Sequence, residues 1–301
     1  MIKQVSCSYC GAEESILLVS KKTTIAGPIV QCKKCGLVYV SPIEVDLEEF
    51  YRTKEVNPPR SHKDGPNVNI RYLVEREWKN KSFKKRLEKI YGLRKTGVLL
   101  DVGCHLGFFL DVAANQGFQV QGVEPNPFNA AYARDELGLQ VETATLEECE
   151  FPNSCFDIVT LYHVLEHIEN PIRLLQEIKR VLRDDGLLVV EVPRFNSASR
   201  RLFRSRWRSY QIDHLTYFTD STLQAMLQAG GFQVVMVDYP GRYMSLNYFI
   251  SRLERIHGFT SRLAKAVVER LHMENLTIYL NLRDIMTYYV VPNNDKEKLN
   301  P

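Results

Sequence analysis

The sequence predicts an α/β protein: a doubly wound, mostly parallel sheet of seven strands, preceded by a small cysteine-rich segment. Three observations predict it. From Val98 onward, short apolar runs alternate with helical stretches, the texture of a parallel sheet covered on both faces. That region opens with an apolar strand, a glycine turn and an amphipathic helix, residues 98–110. Ahead of it, four cysteines fall in two close pairs, Cys7/Cys10 and Cys32/Cys35.

The bulk composition suits this reading. The chain has 301 residues, 45% of them hydrophobic and 25% charged, enough for a sizeable core and about two domains, or one with additions. A net charge of +3 is too small for the whole chain to act as a polyanion binder. No apolar run reaches the roughly 18 residues of a spanning helix. The N-terminus lacks the apolar stretch of a secretory signal. The expectation is a cytoplasmic protein with reduced cysteines.

In such a compartment paired cysteines point to metal. Cys7-Ser-Tyr-Cys10 and Cys32-Lys-Lys-Cys35 are two knuckles separated by twenty-one residues. Two intervening residues let a turn aim both sulfurs at one ion, and two knuckles make the closed four-thiolate site of a structural zinc. Gly11 and Gly36 follow directly and supply permissive backbone. Residues 1–45 therefore read as a zinc ribbon, with β-like runs at 15–19 and 36–40. The alternative is a redox cysteine pair. Cys104, Cys149 and Cys155 are scattered.

Residues 46–96 read as a helical connector. Loops are marked by Asn57-Pro58-Pro59 and Asp64-Gly65-Pro66. A helix over 67–91 is signalled by Ile70, Leu73, Val74, Trp78, Phe83, Leu87 and Ile90. Its basic run Lys84-Lys85-Arg86 reads as a solvated face. The sheet strands are expected at 98–102, 120–123, 140–143, 158–161, 187–192, 232–237 and 284–291, the last antiparallel. Together they place one domain at 97–293, interrupted by insertions at 194–216 and 241–282. The tail 294–301 reads as disordered.

The richest stretch is Leu100-Asp101-Val102-Gly103-Cys104-His105-Leu106-Gly107. Gly103 lets backbone approach a ligand, and the helix start offers N–H groups to a carboxylate. The second strand ends at Glu124, where a carboxylate can accept both hydroxyls of a ribose. Dinucleotide binding wants G-x-G-x-x-G, but the positions counted from Gly103 hold Gly103, His105 and Phe108, so that pattern fails. The phosphate-loop pattern is absent too.

These residues resemble class I S-adenosylmethionine-dependent methyltransferases, a Rossmann-like family. The segment around Asp101 and Gly103 looks like their first motif. Gly122-Val123-Glu124-Pro125 resembles the acidic end of their second strand. Phe156-Asp157 through His163-Val164-Leu165-Glu166-His167 resembles the fourth-strand motif, and Leu182-Arg183-Asp184-Asp185-Gly186 the approach to the fifth. The four occur in the family's order across roughly 97–293. The resemblance implies S-adenosylmethionine held by Asp101, Gly103, Cys104, His105, Gly107, Glu124 and Pro125. It also implies an adenine contact near Thr145, and Tyr162 and His163 facing the methionine part. His105 stands where the family has a second glycine; histidine tolerates positive φ better than most residues.

The resemblance also suggests the proton acceptor. Asp213-His214-Leu215-Thr216-Tyr217-Phe218-Thr219 resembles the E-H-x-x-Y-F-S segment of sugar C-methyltransferases that carry an N-terminal zinc-binding domain. It implies His214, with Asp213, as the base; His163 is a further catalytic candidate. The alternative is that His214 only caps or packs. The string His163-x-x-Glu166-His167 also matches one zinc-peptidase pattern, but it begins at a strand end and Pro171 follows, so that context fails. Glu166 and His167 read as braces of the loop. The motif of amino-group methyltransferases is absent at 161–164, leaving oxygen or carbon acceptors.

Arg194, Arg200, Arg201, Arg204, Arg206 and Arg208 crowd the first insertion, with Leu202, Phe203 and Trp207 as the apolar side of a short helix. They read as a grip on a phosphate-bearing acceptor or an anionic membrane surface, or as a solvated face. The second insertion reads as helical, a lid or homodimer surface. The expected function is methylation of a small acceptor, a sugar, nucleotide-sugar or glycan precursor. The alternatives are an RNA methyltransferase gripping nucleic acid by ribbon and arginines, and a scaffold without turnover.

Overall fold

The structure is a computed structural model and describes residues 3–20, 24–45, 75–254 and 276–293, with 265, 267, 268, 270, 271 and 273 between them. The expected loops at 57–66, the start of the connector helix and the tail 294–301 lie outside the described residues. Much of the second insertion does too.

Three strands near the N-terminus, β1 (Ser15–Val19), β2 (Ile29–Cys32) and β3 (Val38–Val40), form an antiparallel sheet. Helix α1 (Arg76–Leu93) leads to the large sheet. Its strands are β4 (Val98–Val102), β5 (Gln119–Val123), β6 (Val141–Glu142), β7 (Phe156–Tyr162), β8 (Leu182–Pro193), β10 (Phe232–Asp238) and β13 (Ile285–Pro292). They lie in the order β10-β13-β8-β7-β4-β5-β6. Pairing is parallel from β6 to β8, and β13 runs antiparallel to both β8 and β10. This is the seven-stranded Rossmann-like sheet that the alternation of runs predicts. Its strand order reverses at β4, where open α/β sheets leave a crevice at the strand ends.

The helices follow from local chemistry. α2 (Phe108–Ala114) starts from the glycine turn. α3 (Pro127–Asp135) and α4 (Pro171–Val181) each open on an Asn-Pro pair. Asn126 and Asn170 cap the backbone N–H three residues on, and proline fits the first helical position, where no N–H partner is needed. Thr219 caps α6 (Asp220–Ala229). Leu174, Ile178, Leu223 and Met226 pack on one face of the sheet, and Leu87, Ile90, Phe109 and Leu110 on the other. Both faces are thereby covered.

Three features differ from expectation. First, the ribbon sheet extends beyond residues 1–45. A two-residue strand at the end of the first insertion, β9 (Thr216–Tyr217), pairs with β3 as the fourth strand of that sheet. Ile29, Val38 and Val40 share a cluster with Phe195, Trp207, Tyr210 and Tyr217. Second, the helix α5 (Ala198–Phe203) leaves Leu202 75% exposed while Trp207 is buried. The apolar stripe expected for this segment is thus split, because Trp207 turns into the ribbon contact. Third, the second insertion is not simply helical. β11 (Arg242–Ser245) pairs antiparallel with β12 (Thr277–Leu280), and α7 (Leu246–Glu254) follows β11.

Candidate active site

A cavity of about 780 Å³ opens at the C-terminal ends of β4, β7 and β8. Its floor is Asp101, Gly103, Cys104 and His105 after β4, with Tyr162 and His163 after β7. Its outer wall comes from Trp78 and Arg86 of α1, Arg208, Tyr210 and Gln211 of the first insertion, and Arg242 and Tyr243 of β11.

The floor is a strained loop held from below. Gly103 and Cys104 donate their N–H groups to the Val123 carbonyl at 2.8 and 3.1 Å. Gly103 has φ +70° and His105 φ +52°, the left-handed region that most side chains avoid. A Cβ on Gly103 would meet Val164 Cγ2 at 2.7 Å. Glu124 lies beneath, 7% exposed, and its carboxylate accepts the N–H groups of His105 (2.8 Å) and Asn126 (2.9 Å). Burial pushes its carboxyl up and these N–H groups oppose that. Asp101 accepts a 2.6 Å hydrogen bond from Thr160. Burial drives the Asp101 carboxyl up to about 7, against the pull of Thr160.

His163 sits between two buried carboxylates. Its φ is +59°. Nδ1 lies 3.2 Å from Glu166 Oε1 and Nε2 3.4 Å from Glu191 Oε1. Burial alone lowers its basicity, but the two acids reverse this and leave its pKa raised. Glu191 is itself clamped. Arg86 donates Nε and a terminal nitrogen to its two oxygens, each at 2.7 Å, and Thr287 donates at 2.8 Å. Despite burial, Arg86 holds Glu191 well below the usual carboxylate range. Arg86 is 6% exposed, which corrects the solvated-face reading at that residue, while Lys84 and Lys85 are exposed as expected. Lys85 lies over the Tyr279 ring, 4.2 Å from its centroid.

Sequence reasoning missed Arg86 and Glu191. The available signal was Glu191 itself, a lone charge inside the apolar run 187–192. A buried charge requires a partner, but nothing local names one 105 residues away.

The other expected site residues fall outside the cavity lining. Gly107 takes φ +77° at the start of α2. Pro125 is exposed beside Glu124. Thr145 is exposed, and its hydroxyl binds Glu148 at 2.9 Å in a capping box. His214 is 4% exposed and lies edge-on to His167, ring centroids 4.8 Å apart. Burial foremost, then His167, pushes His214 down to about 3. Asp213, also buried, offers its backbone carbonyl to His167 Nδ1 at 2.7 Å. Residues 165–167 form one 3₁₀ turn, not a long helix, so the peptidase arrangement is not formed.

The four N-terminal cysteines converge. The sulfurs of Cys7 and Cys35, and of Cys10 and Cys32, are 3.5 Å apart, and all four lie within 4.8 Å of one another. Thiolates around a tetrahedral zinc, each about 2.3 Å from it, sit about 3.8 Å apart, so the donor set fits. Gly11 and Gly36 close the knuckles by donating to the carbonyls of Cys7 and Cys32.

A family model described as a methyltransferase domain matches residues 72–237. The chain belongs to this methyltransferase domain family. Similar curated proteins include a probable S-adenosylmethionine-dependent methyltransferase of Mycobacterium tuberculosis, 33% identical over 96 residues, or 32% of this chain and 35% of that protein. A ubiquinone biosynthesis O-methyltransferase of Bradyrhizobium sp. is 33% identical over 111 residues, or 35% of this chain and 42% of that protein. The chain thus spans well under half the length of either relative. A solved SAM dependent methyltransferase from Archaeoglobus fulgidus shares the fold, with a TM-score of 0.50 at 18% identity over 73% of this chain and 98% of that one.

Proposed function

We propose that the chain transfers a methyl group from S-adenosylmethionine to oxygen or carbon of a small acceptor, a sugar, nucleotide-sugar or glycan precursor. The observation carrying this reading is the single cavity wall that joins the strained Gly103 loop to His163. Gly103 leaves room for a ligand's main-chain-like carboxylate at the backbone. Asp101, Cys104, His105 and Tyr162 would hold the methionine part, and Glu124, beneath the loop, the ribose. Bound there, S-adenosylmethionine supplies an electrophilic methyl on a sulfonium. The chain's own residues align the acceptor, exclude water and take its proton.

His163 is the proposed proton acceptor, because it lines the cavity and two carboxylates stabilise its charged form. The outer wall suits a sugar: Trp78 and Tyr243 line it with aromatic rings, and Arg208 lines it as well, a grip for phosphate. The four cysteines are proposed to hold a structural zinc that folds the ribbon. His163→Gln should lower turnover by about 100-fold or more with cofactor affinity little changed; parental turnover would remove His163 from the role. Methyl incorporation into nucleotide-sugars without RNA supports the acceptor class. Methylation of RNA alone, with binding that falls steeply with salt, would replace it by the nucleic-acid reading.

A further inference from the structure

The arginines of the first insertion stand at 194, 200, 201, 204, 206 and 208, with no acidic residue between 194 and 212. The fold sorts them. Arg194 pairs with Asp220 at 2.7 Å and lies over the Tyr239 ring, 4.7 Å from its centroid. Arg200 lies over the Phe195 ring, 3.7 Å from its centroid, and donates to the Tyr210 hydroxyl at 3.4 Å. These two serve the packing of the chain itself. Arg201 and Arg204 are exposed, and among the described residues neither has an ion pair.

Leu202 stands between them. At 75% exposed it is the most exposed large apolar side chain among the described residues. A single exposed leucine is ordinary on its own. Here it shares a short helix with cations, and that helix is pinned at both ends. The Ser197 hydroxyl caps α5 by accepting the Arg200 N–H at 3.2 Å. Beyond the helix Trp207, 2% exposed, packs on Phe195 and Tyr210 with ring centroids 6.0 and 5.3 Å away. The residues between are presented with little ordering cost left for binding.

Cations without acids call for an anionic partner, and the apolar residue says which kind. Proteins that grip single-stranded nucleic acid offer aromatic rings on which bases stack. The rings of this segment are turned inward: Phe195, Trp207 and Tyr210 are buried, and Phe203 packs partly against the same cluster. What is exposed instead is an aliphatic chain. It gains nothing from phosphates or water, but it is stabilised at the boundary between headgroups and acyl chains, where arginines meet anionic lipids.

We propose that residues 198–206 bind an anionic lipid surface, with Arg201 and Arg204 on the headgroups and Leu202 among the upper acyl carbons. The same insertion supplies Arg208 and Tyr210 to the cavity wall, so binding brings that wall near the membrane surface. The proposal does not rest on the acceptor or reaction assigned above, because its readout is vesicle binding.

The test is co-sedimentation of the full chain with vesicles of phosphatidylcholine alone and of equal parts phosphatidylcholine and phosphatidylglycerol. The parent should bind the mixed vesicles, less so as salt is raised, and leave the neutral ones. Each arginine near such a surface strengthens binding about five-fold, so Arg201→Gln/Arg204→Gln should bind about 25-fold more weakly. Leu202→Ser should weaken vesicle binding while leaving affinity for heparin, a polyanion without acyl chains, unchanged. A parent that ignores the mixed vesicles, or binds neutral and mixed ones alike, overturns the proposal without recourse to any variant. Vesicle binding that either variant leaves at the parental level overturns it too, because the contact then lies elsewhere. Tight binding of an RNA oligonucleotide without vesicle binding would assign the run to nucleic acid instead.

Discussion

At the scale of single residues, the site depends on a few backbone and titration constraints. Gly103 combines φ +70° with a Cβ position 2.7 Å from Val164 Cγ2. Gly103→Arg should therefore abolish cofactor binding in calorimetry and cost about 1–3 kcal/mol of stability, with the zinc content unchanged. Zinc lost along with the cofactor would show that loop and ribbon fold as one unit. Asp101 has an ordinary carboxyl pKa of 3.8 when free and about 7 in the fold. Between those values the folded chain holds a proton that the unfolded chain has lost. Stability from this group thus falls as pH rises from about 4 to about 7. Denaturant midpoints of the parent should drop across that window relative to Asp101→Asn; parallel curves for the two proteins would contradict the shift. Asp101 and Gly103 were legible in the sequence, since their chemistry is local to one strand and turn. The choice between His163 and His214 was not, because each follows a plausible strand end. Only the packing shows that His163 lines the cavity while His214 lies buried against His167.

At the scale of elements, strands and caps follow short-range rules. The expected strand at 98–102 is the observed β4 to the residue, and the other sheet strands differ only at their ends. The Asn-Pro starts of α3 and α4 are local too. The pairing of α1 with β8 is not local. Arg86 and Glu191 form a buried bidentate pair, side chains 7% and 2% exposed. Removing one member of such a pair leaves an uncompensated charge, at a cost of about 3–5 kcal/mol. Arg86→Met should lose that much in urea unfolding, while the Arg86→Met/Glu191→Gln double variant should recover much of it. Equal losses in the two would show that Arg86 acts by packing alone.

At the scale of the whole molecule, the ribbon and the methyltransferase domain are joined through an insertion. β9 pairs with β3, and the Leu215 carbonyl accepts from Val40 at 2.9 Å. The same insertion supplies Arg208 and Tyr210 to the cavity wall. Removing the zinc proposed at the cysteines should therefore speed amide exchange at Val38–Val40, and at Thr216 and Tyr217. Protection unchanged at 216–217 would show that the insertion holds its shape without the ribbon. The sequence by itself determined the α/β class, the cysteine knuckles, the glycine loop and the acid after the second strand. Each of these is written in residues a few positions apart, where turn, cap and strand periodicity act. Only the tertiary structure decided that the ribbon borrows a strand from the insertion, that Arg86 meets Glu191, and that His167 meets His214. Those contacts join segments tens to nearly two hundred residues apart. Such pairings are set by how whole elements pack and which buried charges then need partners, and no local spacing records that outcome.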